Sequence, residues 1–185
     1  MNMINVLGFS GSLRKASCNS GLLRAAKEVL PENMTLEIFD LSQIPLFNQD
    51  LESTPPEPVK LFKTKISAAD ALLIAVPEYN YSIAGVLKNA IDWASFPPKD
   101  SPLNGKPFAM MGAGGGLGTA RAQYHFRQMA VSTNMLTFNK PELFVPLAFE
   151  KFDKNGNLLD ESIKDKIRVL LETLANWVKR FNPAV

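Results

Sequence analysis

A chain of 185 residues with 46% hydrophobic and 21% charged side chains has the size and composition of one globular domain, expected to span residues 1–185. Twenty basic against 18 acidic residues leave a formal charge of +2, too even for the basic footprint of a nucleic-acid binder. No run reaches the roughly 18 apolar residues of a membrane span. The opening MNMINVLGFSGS has no basic leader, and one cysteine with one histidine supports neither a disulfide framework nor a zinc site, so a cytoplasmic protein without metal is expected.

From Met3 to Phe9 the chain is apolar and suited to a buried strand, and the Gly/Ser-rich stretch GSLRKASCNS follows directly. Ser20 is the expected cap of a helix whose Leu22, Leu23, Ala26, Val29 and Leu30 recur at helical spacing before Pro31. A short strand is expected over Thr35 to Leu41. Prolines 45, 55, 56 and 58 then mark a surface loop leading to a helix with Val59, Phe62, Ile66 and Ala69 inward. ALLIAVP, Ala71 to Pro77, is continuously apolar, as a strand covered on both faces must be. After EYNYS, the residues Ile83, Val86, Leu87, Ala90, Ile91 and Ala94 predict a helix with Ser82 as its cap. PFAMMGA, Pro107 to Ala113, is a further strand, followed by a glycine loop and a helix over about Thr119 to Ser132. A strand near Met135 to Phe138 and a closing helix over Asp160 to Phe181 complete the chain. The closing helix should bury Ile163, Ile167, Leu170, Leu171, Leu174, Val178 and Phe181.

Strands alternating with helices require crossover connections and hence a parallel sheet. The expected fold is α/β: a doubly wound five-stranded parallel sheet, order 2-1-3-4-5, with helices on both faces. Ligands of such sheets bind at the carboxyl ends of the strands, beside the switch in strand order. Three loops of unusual composition fall there.

The first loop carries the hydroxyls of Ser10, Ser12, Ser17 and Ser20, the guanidinium of Arg14, Asn19 and a helix N-terminus. A phosphomonoester, with acceptor oxygens and roughly two negative charges, wants such donors, and Ser12, Arg14, Ser17 and Asn19 are the expected contacts. In the second, Pro77, Glu78, Tyr79 and Asn80 form a tight turn whose backbone groups can read the edge of a flat heterocycle, with Tyr79 or Tyr81 packing on its face. In the third, glycines 112, 114, 115, 116 and 118 allow a flat ligand to approach the backbone. Position 117 is not glycine and the loop follows the fourth strand, so it is no dinucleotide fingerprint.

GSLRKASCN (Gly11 to Asn19), PEYNYSIAGVLKNAIDW (Pro77 to Trp93) and GTARAQYHFRQ (Gly118 to Gln128) together resemble the NADPH-dependent FMN reductases, the flavodoxin-like quinone, azo and chromate reductases. The resemblance implies a flavodoxin-like domain with tightly bound FMN, reduced by NADPH or NADH and reoxidised by a small-molecule electron acceptor in a ping-pong cycle. It implies that Ser12, Arg14, Ser17, Cys18 and Asn19 hold the FMN phosphate. Pro77, Glu78, Tyr79 and Asn80 would border the ring, and Ala113, Gly114 and Gly115 line its other side. No catalytic side chain is implied, because the flavin carries the chemistry. A homodimer or dimer of dimers is also implied. Arg121, Tyr124, His125 and Gln128 then make a helix stripe for a partner subunit or solvent, opposite Ala122, Phe126, Met129 and Ala130.

Two rivals remain. Cys18 and Arg24 stand as C-x5-R, the spacing of a thiolate nucleophile and a phosphate-clamping arginine in a phosphatase loop. Cys18, however, lies nine residues past Phe9, and Arg24 falls inside the apolar helix. A flavodoxin-type carrier would bind FMN but leave nicotinamide oxidation to a partner; such carriers tend to be acidic, against a pI here of about 8.6.

Overall fold

The computed structural model describes residues 3–182; residues 1, 2 and 183–185, the outermost ends of the expected domain, lie outside the described residues. In chain order the elements are β1 (Ile4–Ser10), α1 (Cys18–Glu28), β2 (Met34–Phe39), α2 (Glu57–Ala68), β3 (Ala71–Ala75), β4 (Glu78–Tyr79), β5 (Ser82–Ile83), α3 (Gly85–Ser95), β6 (Pro107–Ala113), α4 (Ala120–Ser132), β7 (Leu136–Thr137), β8 (Leu143–Val145), α5 (Ala148–Lys151) and α6 (Glu161–Phe181). The main sheet is parallel and runs β2-β1-β3-β6-β7, with β8 also pairing β6. This is the 2-1-3-4-5 order, and the fold is flavodoxin-like.

Alternation along each buried strand divides the core in two. Ile4, Val6, Leu73, Ala75, Ala109 and Met111 face α1 and α6. Leu7, Phe9, Leu72, Ile74, Phe108 and Met110 face α2, α3 and α4. On α6 the stripe Ile163, Ile167, Leu170, Leu171, Leu174 and Val178 is buried, and each large aliphatic removed from water contributes roughly 1.5–3 kcal/mol. Phe181 departs from that stripe: it is 49% exposed, at the last residue of α6, and packs edge-on to Trp177. Among the described residues no helix is long and apolar enough to cross a membrane.

Three local expectations are corrected. Ser17, not Ser20, caps α1: its Oγ accepts from the Ser20 N–H, so the helix begins before the apolar stripe does. Ser82 is no helix cap, since Ser82 and Ile83 pair with Tyr79 and Glu78 in an antiparallel hairpin and α3 starts only at Gly85. The fifth sheet position is filled by two pieces. β7 pairs the start of β6, and β8 pairs its end, Met111 to Ala113, with the Lys140–Pro141 stretch between them.

Register brings the three loops to one edge. Ser10 is level with Ala75 and Ala75 with Met111, and the ladder continues through Gly11 N–H to Ala75 O and Val76 N–H to Met111 O. The loops after β1, β3 and β6 therefore leave the sheet side by side.

Candidate functional site

Direct contacts stitch the three loops together. Gly11 lies so close to the second loop that a Cβ there would stand 2.8 Å from Leu87 Cβ and 3.0 Å from Pro77 Cδ. Asn19, 6% exposed, spans from the first loop to the third: its Nδ2 donates to Ala113 O at 2.9 Å and its Oδ1 accepts from Ala113 N–H at 3.0 Å. The glycine loop is fixed in turn to the segment after β8, through Gly114 N–H to Val145 O, Ala148 N–H to Gly114 O and Leu147 N–H to Gly115 O.

In the first loop Ser12 N–H donates to Ser10 Oγ and Ser17 N–H to Arg14 O, folding residues 11–17 over the start of α1. The N–H groups of Cys18 and Asn19, the first helical positions, have no intrahelical acceptor. No acidic residue occupies the first turn, so the positive helix end is uncompensated. Arg14 is exposed, with Nη2 3.7 Å from Cys18 Sγ.

The second loop is a two-residue hairpin with Asn80 and Tyr81 both at positive φ, the primed turn that matches strand twist. Helix α4 clamps it. Glu78, whose side chain is 10% exposed, accepts from Arg121 Nε at 2.6 Å and from Ala122 N–H at 3.2 Å, and lies 2.6 Å from Arg121 Nη2. Thr119, at the N-terminal cap position in a left-handed conformation, makes no side-chain cap, so the Glu78 carboxylate caps α4 from the neighbouring loop. The Arg121 guanidinium also sits 3.6 Å over the Tyr81 ring, and Ser82 Oγ meets His125 Nδ1 at 3.0 Å. Arg121 and His125, on the stripe expected for a partner or solvent, thus touch the hairpin of their own chain.

Two adjoining grooves result. One, of about 470 Å³, runs from Arg14 and Cys18 past Gly114 and Gly115 to Phe149, Phe152, Asp153 and Lys154. The other, of about 330 Å³, runs from Gly114 and Gly115 to Glu78, Asn80, Tyr81 and Arg121. At Gly115 and Gly116 a Cβ would meet nothing within 4 Å, so the floor is open backbone. Of the residues expected to bind, Arg14, Cys18, Glu78, Asn80, Gly114 and Gly115 line these grooves. Ser12, Ser17, Asn19, Pro77, Tyr79 and Ala113 lie in or beside the same loops but line neither.

Sequence reasoning missed Arg121 and the segment beyond α5. There Phe152 bridges Leu158, and the turn DKNGN closes between them; that Asp/Asn/Gly cluster is a turn signal. Asp153 accepts from the N–H groups of Asn155 and Asn157 and from Asn157 Nδ2. Chiefly the Asn157 N–H holds its carboxyl below the usual range. Arg24, within α1, donates to Asn157 Oδ1 at 3.1 Å and to Gly156 O at 2.8 Å. Six residues of helix turn it well away from Cys18, so the C-x5-R pair forms no common phosphate clamp.

An open parallel sheet whose carboxyl edge carries an acid-free helix end, a clamped hairpin and a bare glycine loop has the form of a flavodoxin-type mononucleotide site. Residues 4–150 match the family described as NADPH-dependent FMN reductase, and the chain belongs to that family. It is 51% identical over 179 residues, 96% of each chain, to an NAD(P)H-dependent FMN reductase of Pseudomonas aeruginosa. It is 48% identical to an NAD(P)H:quinone oxidoreductase of Solanum tuberosum, covering 93% of this chain and 91% of that one. The flavoenzyme FerB of Paracoccus denitrificans, an NAD(P)H:(acceptor) oxidoreductase, superposes with a TM-score of 0.86 at 29% identity over 96% of this chain and 98% of its own.

Proposed function

We propose that residues 1–185 form one flavin-binding unit that oxidises NADPH or NADH and reduces a quinone or similar flat acceptor by a ping-pong mechanism, in the cytoplasm and as a homodimer or dimer of dimers. The observation that carries this reading is the pair of grooves meeting at Gly114 and Gly115, one ending on the α1 N-terminus and the other beneath the hairpin. The donor set suits FMN. Arg14, the Ser12 and Ser17 region and the free N–H groups of Cys18 and Asn19 would hold its phosphate, and the bare floor at Gly115 and Gly116 admits a flat ring. FMN bound there supplies hydride acceptance from the nicotinamide and electron delivery to the acceptor.

The chain's own residues position and hold. Pro77 sets the hairpin against Gly11, and Glu78 would offer the ring only its backbone, because its carboxylate is committed to α4. Outside the β4–β5 pair the hairpin joins no other strand among the described residues, which leaves backbone groups of Tyr79 and Asn80 for a ring edge. Arg121 covers one face of Tyr81, which lines the hairpin groove, and leaves the other face of that ring to flank a ligand.

The purified protein should be yellow. Mixed anaerobically with NADPH it should bleach, and a quinone should restore the colour at a rate that matches steady-state turnover. Bleaching only after addition of a second protein would instead indicate a flavodoxin-type carrier. Arg14→Ala should weaken FMN binding to the apoprotein by about 1–3 kcal/mol, the value of a charge-assisted hydrogen bond, whereas Cys18→Ser should leave it nearly unchanged. Fluorescence titration checks both, and the reverse ranking would overturn this assignment of the loop.

A further inference from the structure

Part of the groove that Arg14 lines is built by Phe152, Asp153 and Lys154, which lie past the family match ending at residue 150. The loop that carries them is held rigidly against the phosphate-loop side of α1. A Cβ at Gly21 would stand 1.9 Å from Gly156 O, and one at Gly156, where φ is +76°, would stand 2.7 Å from the Ala16 carbonyl carbon. Such contacts leave no slack between the loop and the residues that precede α1. Arg24 pins the same loop from within α1, and the Asp153 carboxylate is turned into its own turn by three hydrogen bonds.

Lys154 is then the groove-lining charge of this loop that is not engaged. Among the described residues neither it nor Arg14 has a carboxylate within 4.0 Å, and α1 brings no acid to its first turn. Arg14, Lys154 and the positive helix end outweigh the groove's one carboxylate, Asp153, which its own turn already engages, and a dianion among them gains from that excess.

We propose that Lys154 is a further ligand for a phosphate monoester in the groove it lines together with Arg14; this rests on the flavin mononucleotide reading above. Two sources carry that chemistry, the 5′-phosphate of FMN and the 2′-phosphate of NADPH, and two measurements separate them. The first titrates apoprotein with FMN and with riboflavin, which lacks the phosphate, for wild type, Lys154→Ala and Lys154→Arg. The second compares KM for NADPH and NADH in the loaded proteins.

If the FMN phosphate is the partner, Lys154→Ala raises the FMN Kd about tenfold, as for one lost charged contact, leaves the riboflavin Kd unchanged, and Lys154→Arg restores most of the affinity. If the nicotinamide phosphate is the partner, FMN binding holds while the NADPH KM rises about tenfold and the NADH KM does not. Equal losses for FMN and riboflavin, or no change in either pair, overturn the proposal. A wild-type protein that binds riboflavin as tightly as FMN would instead defeat the underlying mononucleotide reading.

Discussion

Asn19→Ala should lower the stability of the protein by about 2–4 kcal/mol, measured as the midpoint shift in urea at constant slope. The side chain makes two hydrogen bonds to one peptide, accepting from Ala113 N–H and donating to Ala113 O, at a buried position. Its removal leaves two buried backbone groups without a partner, and each such group carries a desolvation cost of roughly 1–3 kcal/mol. The same bonds tie the start of α1 to the end of β6, so FMN affinity should fall with stability. Asn19→Asp separates the two effects. It keeps an acceptor for Ala113 N–H and gains from the helix end, yet it sets a carboxylate against Ala113 O and places a negative charge in a first turn that has none. FMN binding should therefore fall more than stability does. An alanine variant that melts like wild type would show that Asn19 is not the latch.

Asn19 also marks where sequence reasoning stops. ALLIAVP announced a strand covered on both faces, and the α6 stripe announced its own burial, because both patterns are local and periodic. An asparagine in a serine-rich loop before a helix carries the chemistry of a phosphate contact, and nothing local says that its amide closes on a peptide 94 residues later. The hairpin was hidden for a related reason. Glu78–Tyr79 and Ser82–Ile83 are too short to show alternation, and the positive φ of Asn80 and Tyr81 is chosen by the fold as well as by residue type. The fifth strand split because the five residues from Phe138 to Glu142 interrupt the pairing with β6, a consequence of connection length that composition does not record. The positions of the three site loops were nonetheless legible, since strand order alone places them together.

The clamp between the hairpin and α4 should dominate turnover. Glu78→Ala removes the carboxylate that accepts from Arg121 and from Ala122 N–H, and with it both the hairpin anchor and the cap of α4. Arg121, about two-fifths exposed, returns to water, so the stability loss should stay near 1–3 kcal/mol. The catalytic loss should be larger for its size. A ring edge read by a hairpin that shifts by about 1 Å loses its alignment, and misplacement on that scale costs about a hundredfold in rate. We therefore expect the rate of flavin reduction by NADPH to fall about tenfold to a hundredfold in stopped-flow experiments, with FMN retained through the phosphate loop. Arg121→Lys keeps the charge but not the paired geometry and should recover little. Combining Glu78→Ala with Arg121→Ala should cost scarcely more than either alone, a coupling of about 1–3 kcal/mol, because both break one clamp. Additive losses would mean that the two side chains act separately and that the hairpin is held by Ser82 and His125 instead.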